Sequence, residues 1–245
     1  MNKPKVEICI PIYNEERIIE KNLRQVIRYC QNQSEFSWRI VALVNGSNDQ
    51  SWKICSQLAR QYPNILAAYN LTQGGRGNAL RWYFGRSQAD AVGYMDADLA
   101  VSLDCLPALF VPIIKGEADV VLGSRLVVGA HLKRSWLRSF ISMAYNLLSR
   151  LIIGPSASDL QCGFKAICPR VFKKISPHLR DKKWFFDTEL IIFSRRLGLK
   201  IKEVPVNWSE NRPNQKESRV KIISDSVRFL INLLKLRWRL WRLKI

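Results

Sequence analysis

The sequence predicts an α/β protein with one mostly parallel sheet and helices on both faces of that sheet. In the first half of the chain, short runs rich in Val, Ile and Leu alternate with segments of helical periodicity. Polar clusters follow the strand-like runs directly, at the ends where open α/β sheets bind ligands. The chain has 245 residues, of which 47% are hydrophobic, so we expect one domain with a buried core.

The first half alternates predicted strands and helices in chain order. The predicted strands cover residues 6–13, 38–44, 65–71, 91–95 and 119–122. The predicted helices cover residues 15–30, 51–60 and 103–115, and a further helix runs from the Gly-rich segment 73–78 to about residue 88. In the first helix Leu23, Val26 and Ile27 lie on one apolar face. Alternation of this kind predicts parallel strands joined by crossover helices.

The second half carries longer amphipathic segments. We predict helices over residues 135–153, over 186–197 and from about 219 to the end, with strands in 158–167 and 199–208. No Ser/Gly-rich linker and no internal repeat interrupts the chain. We therefore expect one domain over residues 1–215, followed by a basic amphipathic helix over 216–245.

The charge balance is strongly basic. The chain contains 39 Lys and Arg against 20 Asp and Glu, a net charge of +19. Such an excess predicts attraction to an anionic partner, which could be a nucleic acid, a phosphorylated ligand or an acidic membrane surface.

The C-terminal helix carries part of this charge in a regular pattern. Lys221, Arg228, Lys235 and Arg242 recur every seven residues, with an apolar residue before each of them. A basic amphipathic helix with tryptophans near its end suits an anionic membrane surface. The alternative is an ordinary helix whose apolar side packs on the domain.

The location expected from the sequence is cytoplasmic. The N-terminus lacks the apolar run of a signal peptide, and no uncharged apolar run reaches the ~18–20 residues that span a bilayer. The six cysteines include no C-x-x-C pair, which favours a reducing compartment.

Three polar clusters are candidates for chemistry. Asp96 and Asp98 end a predicted strand and could hold Mg²⁺ or Mn²⁺ together with a diphosphate, although a turn or helix cap would look the same. The Gly-rich segment 73–78 precedes a helix and could bind an anion or simply form a turn. Arg125 follows a strand and could bind a phosphate or lie on the surface.

Nine short motifs occur in the order typical of one enzyme family. They are PIYNEE (11–16), NGSND (45–49), GGRGNALR (74–81), DADL (96–99), GSR (123–125), DLQCGFK (159–165), FFDTEL (185–190), EVPVNW (203–208) and ESRVK (217–221). Over about residues 6–240 the chain resembles the family 2 glycosyltransferases, in particular the polyprenyl-phosphate branch with the dolichyl-phosphate mannose and glucose synthases. The resemblance implies the GT-A fold of nucleotide-diphosphosugar transferases.

The resemblance also implies roles for individual residues. It places Pro11, Tyr13 and Glu15 around the nucleotide base and ribose. It makes Asp96 and Asp98 the ligands of the metal and the contacts of the diphosphate.

In the same comparison Arg125 binds the acceptor phosphate and Asp159 faces the reaction centre, so the implied catalytic set is Asp98, Arg125 and Asp159. Three positions depart from the family pattern. Val44 and Asn45 stand where the family has two aspartates, and Asn45 could still hydrogen-bond a base or ribose. Arg76 replaces a lysine and keeps the positive charge.

The implied activity is inverting transfer of glucose or mannose from a UDP- or GDP-hexose to a polyprenyl or dolichyl phosphate, at the cytoplasmic face of a membrane. An alternative is transfer to a hydroxyl of a glycan or protein, which needs a general base such as Asp187, Glu189 or Asp159. A basic nucleic-acid-binding protein is a remote alternative, because no RNP, zinc-finger or helix-turn-helix signature is present. We therefore expect no nucleic-acid partner.

Overall fold

The computed structural model describes residues 3–133, 136–154, 157–210 and 222–243. It describes side chains over the same ranges, except in 133–142 and 222–226. Its strands are β1 (Lys5–Ile12), β2 (Ser37–Asn45), β3 (Leu66–Leu71), β4 (Ala91–Met95), β5 (Val120–Ser124), β6 (His131–Lys133), β7 (Phe164–Ile167), β8 (Ile201–Pro205) and β9 (Asn207–Ser209). Its helices are α1 (Ile19–Asn32), α2 (Ser51–Gln61), α3 (Arg76–Phe84), α4 (Leu106–Ile114), α5 (Trp136–Ile153), α6 (Pro169–Ile175), α7 (Phe186–Arg196) and α8 (Ile222–Leu243).

Seven strands form one sheet in the order β3-β2-β1-β4-β7-β5-β8. β7 runs antiparallel to its neighbours β4 and β5, and the other neighbouring pairs are parallel. β6 and β9 pair in parallel as a separate two-stranded ribbon. The predicted mostly parallel sheet is confirmed.

Helices cover both faces of the sheet, as predicted. Side chains alternate along the strands, so that Ile8, Ile10 and Ile12 of β1 face one layer while Cys9 faces the other. Helices α1, α2 and α4 pack on the first face, and α3, α6, α7 and α8 pack on the second. Both layers are continuous hydrophobic cores, and together they fix the carboxyl ends of the parallel strands at one edge.

The C-terminal helix packs on the domain along one side only. Leu233, Leu236 and Leu240 of α8 are at most 4% exposed and belong to the second core layer. Another side of α8 leaves Leu234, Trp238 and Trp241 between 52% and 76% exposed. Packing on the domain is therefore confirmed for one side of α8, and contact of the other side with a membrane stays a prediction. Lys221 and the ESRVK motif lie outside the described residues.

Several element boundaries differ from those predicted. Helix α1 begins at Ile19 rather than near residue 15, because residues 14–16 bond to the loop after β2. The segment predicted as one strand, 199–208, forms two short strands separated by Val206. Helix α6 and strand β6 were not predicted, since seven and three residues are too few to show a periodicity.

Candidate active site

The polar clusters meet at one edge of the sheet. β1, β2, β4 and β5 run in the same direction, so the residues after each of them lie at the same edge. β7 runs the opposite way, which brings the preceding segment 158–163 to this edge as well. The topology therefore gathers the candidate nucleotide, metal and acceptor residues in one place.

The loops after β1 and β2 are bonded to each other. The backbone N–H of Asn48 donates to Asn14 Oδ1 at 2.9 Å, and that of Glu16 donates to Asp49 Oδ2 at 3.0 Å. The N–H of Gln50 donates to Glu16 Oε2 at 2.9 Å. These reciprocal bonds fix the shape of the two loops before any ligand binds.

This pair of loops presents the residues expected around the nucleotide base. Pro11 is half-buried within β1, and the Tyr13 side chain beyond it is 48% exposed. Glu15 is 8% exposed, and its backbone N–H donates to Ser51 Oγ at 2.9 Å. The structure places the three residues together on one strand end, with Tyr13 the most open of them.

Asn45 connects three backbone segments. Its side chain is 3% exposed, and Nδ2 donates to the carbonyl oxygens of Ile12 and Leu43 at 2.9 and 3.2 Å. Oδ1 accepts the N–H of Gly75 at 3.0 Å. The amide holds the Gly-rich turn against the ends of β1 and β2, and a nucleotide contact through it stays a prediction.

The Gly-rich turn packs closely on the segment before α7. Gly75 has a φ of +121°, and a Cβ there would lie 2.3 Å from the carbonyl oxygen of Lys182. A Cβ at Gly77 would lie 2.6 Å from Cβ of Phe186. The N–H of Asn78 donates to Lys182 O at 3.1 Å. The structure shows a turn whose glycines are required by close backbone approach, and anion binding by this segment stays a prediction.

Arg76, in the first turn of α3, joins this turn to the DAD motif. Its side chain is 8% exposed, with Nη1 2.5 Å from Asp187 Oδ2 and Nη2 3.0 Å from Asp96 Oδ1. The guanidinium also lies over the rings of Tyr94 and Trp184. Neither Nε nor Nη2 makes a hydrogen bond within the part of the chain that is described. Both atoms are buried, and Nη2 is held in the ion pair with Asp96, so Arg76 provides a fixed positive charge at this edge of the site.

The two DAD carboxylates lie where β4 ends. The Asp96 side chain is 38% exposed. Loss of solvent around the carboxyl raises the pKa of Asp96 to about 6, the guanidinium of Arg76 opposes the shift, and Asp98 adds to it. Asp98 Oδ1 accepts the N–H of Ala100 at 3.2 Å. A Cβ at Gly163 would lie 2.0 Å from Asp96 Oδ2, so only glycine leaves room for this carboxylate.

This donor set fits a hard divalent cation. Two carboxylates provide oxygen ligands, and among the described residues no cluster of three His, Cys, Asp or Glu side chains forms a complete protein cage. Mg²⁺ is typically bound by one or two carboxylates, with substrate phosphates and water as the remaining ligands. Mn²⁺ accepts the same oxygen donors. The pKa of Asp96 is raised chiefly by burial of the carboxyl, and a bound cation would oppose that shift.

A buried polar network behind the DAD motif was not predicted from the sequence. Lys165 is fully buried, and its Nζ donates to the carbonyl oxygens of Leu160 and Cys162 at 3.1 and 2.5 Å. Tyr94, also fully buried, donates its hydroxyl to Asp187. The signal available in the sequence was a lysine inside the apolar run of β7. This network holds the segment before β7 in place beside Asp96.

Arg125 and Asp159 form a buried, bidentate ion pair. Arg125 Nε and Nη2 lie 2.6 and 2.8 Å from the two carboxylate oxygens of Asp159, which also accept the Arg125 N–H at 3.2 Å. Asp159 is fully buried and Arg125 is 9% exposed. Burial raises the pKa of Asp159, but the guanidinium outweighs it and holds that pKa below its usual value. The sequence predicted both residues in the site but not their pairing.

The mostly parallel sheet, with helices on both faces, is the GT-A fold. Residues 7–176 match the family model described as glycosyl transferase family 2. The chain belongs to glycosyl transferase family 2.

Curated relatives with more specific names are also similar. The chain is 31% identical over 213 residues to the dolichyl-phosphate beta-glucosyltransferase ALG5A of Trichomonas vaginalis, covering 84% of this chain and 66% of that protein. It is 29% identical over 237 residues to the glycosyltransferase AglD of Haloferax volcanii, covering 96% of this chain and 37% of that protein. The chain thus spans less than two thirds of AglD and just under two thirds of ALG5A.

A solved structure shares the fold. It is the glucosyl-3-phosphoglycerate synthase of Mycobacterium tuberculosis in complex with Mn²⁺, UDP and glucosyl-3-phosphoglycerate. The TM-score is 0.66 at 17% sequence identity, over 95% of this chain and 80% of that one.

Proposed function

We propose that this chain is an inverting hexosyltransferase that moves glucose from UDP-glucose to the phosphate of a polyprenol or dolichol. The curated relatives named dolichyl-phosphate beta-glucosyltransferases support glucose and the lipid phosphate. The structural neighbour that holds UDP and Mn²⁺ supports a UDP-sugar and a divalent cation. The buried carboxylates that could act as bases favour this reaction over transfer to a hydroxyl, because each of them is already paired with an arginine.

A hydroxyl acceptor must lose its proton to a general base, and the candidate bases are occupied. Asp159, Asp187 and Glu189 are 0%, 1% and 2% exposed. Each of them forms an ion pair with an arginine. The pairs are Asp159 with Arg125, Asp187 with Arg76, and Glu189 with Arg239. A carboxylate held in this way is a poor base and is closed to an incoming hydroxyl. An acceptor phosphate is already ionised at neutral pH and needs no base.

The donor end of the site has to stabilise the departing diphosphate, on which negative charge develops. A divalent cation bound by Asp96 and Asp98 would neutralise that charge. Arg76 lies beside Asp96 and supplies a second, fixed positive charge. The exposed ring of Tyr13, at the end of β1, offers a flat surface for the nucleotide base.

At the acceptor end, Asp159 orients Arg125. The carboxylate takes the Nε and Nη2 edge of the guanidinium, and Nη1 has no partner within the described residues. Nη1 is therefore the group we assign to the acceptor phosphate. Because Asp159 fixes the plane of the guanidinium, little rotational freedom is lost when the phosphate binds.

A donor and acceptor screen tests the proposed function. UDP-glucose, UDP-mannose, GDP-glucose and GDP-mannose are each incubated with a short polyprenyl phosphate and either Mg²⁺ or Mn²⁺. We expect product from UDP-glucose, and none when the unphosphorylated polyprenol replaces the phosphate. Transfer to the free polyprenol at a comparable rate would contradict the phosphate acceptor and favour a hydroxyl acceptor.

We assign the exposed side of α8 to an anionic membrane surface at the cytoplasmic face. None of the helices that the structure describes has the length and apolar character needed to cross a bilayer. Leu147 and Leu151 of α5 are 58% and 71% exposed, and α5 packs beside α8, which exposes Trp238 and Trp241. Arg228, Lys235 and Arg242 are exposed on the same helix. Apolar side chains next to basic ones are typical of interfacial helices.

Changing Trp238 and Trp241 together to serine should weaken binding to anionic vesicles at least about tenfold, since a large apolar side chain contributes about 1.5–3 kcal/mol when taken out of water. Trp52→Ser is the matched control, because Trp52 is 36% exposed on α2, far along the chain from α8. Flotation with vesicles measures the bound fraction. Equal binding by the double variant and the control would show that α8 is not part of the membrane contact.

A further inference from the structure

A cationic cleft lies between α8 and the loop that precedes α7. Its volume is about 500 Å³. Lys182 and Lys183 line it from the loop, and Arg228 and Lys235 line it from the helix. The side chains of these residues have no part in the site described above.

Within the described residues, nothing neutralises the positive charge of the cleft. All four basic side chains are exposed, and none forms an ion pair within the described part of the chain. The cleft contains one carboxylate, that of Asp181. Its Oδ1 accepts the N–H of Lys183 at 2.7 Å, and its Oδ2 lies 3.5 Å from Nδ2 of Asn232. Four cations therefore face one carboxylate that already has partners.

Apolar side chains stand beside the charges. Val227 and Ile231 line the cleft and are 56% and 46% exposed. They lie on the helix that also exposes Trp238 and Trp241. A free inorganic anion would gain nothing from these side chains, whereas a lipid has both an anionic head and an apolar body.

We propose that this cleft binds the phosphate of one anionic phospholipid head group, with the glycerol and upper acyl chain against Val227 and Ile231. The loop lysines and the helix cations approach the phosphate from two different elements, which gives a defined site rather than a diffuse field. The proposal rests on the membrane contact of the proposed function and adds a specific, saturable lipid site to it.

The loop that carries the lysines also supports the donor site. The carbonyl of Lys182 accepts the N–H of Asn78 and closely approaches Gly75, on either side of Arg76. A head group held between Lys182 and Arg228 links the membrane helix to the segment on which the Gly-rich turn packs. The proposed lipid site therefore lies next to the loop that packs against the Gly-rich turn of the donor site.

The test uses the full chain and monomeric dihexanoyl-phosphatidylglycerol, with binding measured by calorimetry. Three double variants each remove two positive charges. Arg228→Gln with Lys235→Gln changes the helix side of the cleft, and Lys182→Gln with Lys183→Gln changes the loop side. Arg237→Gln with Arg242→Gln is the matched control, because both residues lie on α8 outside the cleft. Circular dichroism melting confirms that each variant is folded.

We expect the unmodified protein to bind one equivalent of the lipid. Both cleft variants should bind roughly 25-fold more weakly, because each of the two lost basic contacts costs about fivefold, while the control changes less than about threefold. Equal losses in all three variants, or no saturable binding by the unmodified protein, would overturn the proposal. Competition by inorganic phosphate at the same concentration as the lipid would overturn its assignment to a lipid.

A failure of this inference can be told apart from a failure of the proposed function. Transfer from UDP-glucose to the short polyprenyl phosphate is measured in the absence of phospholipid. The helix-side variant, Arg228→Gln with Lys235→Gln, should retain that activity, because these side chains contact neither the DAD carboxylates nor Arg125. Loss of lipid binding with retained transfer supports the cleft. Absence of transfer in the unmodified protein counts against the proposed function alone.

Discussion

Replacing Asp98 with alanine should lower turnover by about 10²–10⁴, because a metal ligand at the leaving diphosphate contributes several kcal/mol of transition-state stabilisation. The loss should appear in kcat for UDP-glucose, measured at saturating Mn²⁺. Mn²⁺ binding to the protein with UDP, followed by electron paramagnetic resonance, should weaken in parallel. This second readout does not depend on turnover, so it reports the ligand role directly.

Asp104→Ala is the matched control for this change. Asp104 lies six residues further along the chain, is exposed, and its Oδ2 is 3.3 Å from Ser102 Oγ. Its removal takes away the same charge and should leave turnover and Mn²⁺ binding as they are. Near-normal turnover of Asp98→Ala, or of the unmodified protein in excess chelator, would show that the DAD motif is a turn and not a metal site.

The sheet and its helices could be predicted because the signals are local. The apolar run 6–12 and the helical spacing of Leu23, Val26 and Ile27 each reflect which face of one element is buried. Boundaries were missed where a distant segment decides them. Helix α1 begins late because Asn14 and Glu16 bond to residues 48–50, more than thirty positions away.

The candidate site was predicted as a set of residues but not as a set of contacts. Motif order places Asp96, Asp98, Arg125 and Asp159 at strand ends, which the topology brings to one edge. Which charges pair depends on how the later segments return to that edge. Arg76 meets Asp187, 111 residues later, and the fully buried Lys165 lies 3.7 Å from the same carboxylate. No local pattern contains that information.

The pairing of Arg125 with Asp159 determines how the acceptor role of Arg125 has to be tested. Arg125→Ala leaves the fully buried Asp159 carboxylate without its partner, and loss of one member of a buried pair costs about 3–5 kcal/mol of folding stability. The single variant should therefore melt at a lower temperature, whatever its role in binding. Arg125→Lys keeps the positive charge but loses the planar, bidentate geometry of the guanidinium. It should therefore restore stability and acceptor use only in part.

Replacing both residues by leucine separates the two effects. Without either charge no buried carboxylate is left unpaired, so the double variant should recover most of the stability that Arg125→Ala loses. If Nη1 of Arg125 holds the acceptor phosphate, this refolded variant should bind UDP normally yet need at least about tenfold more polyprenyl phosphate, since one charge-assisted hydrogen bond to phosphate contributes about 1.5–3 kcal/mol. Calorimetry with UDP and initial rates against polyprenyl phosphate give the two measurements. Normal acceptor use by the stable double variant would make Arg125 and Asp159 a structural pair, and the acceptor phosphate would then have to be held by other basic residues at this edge of the sheet.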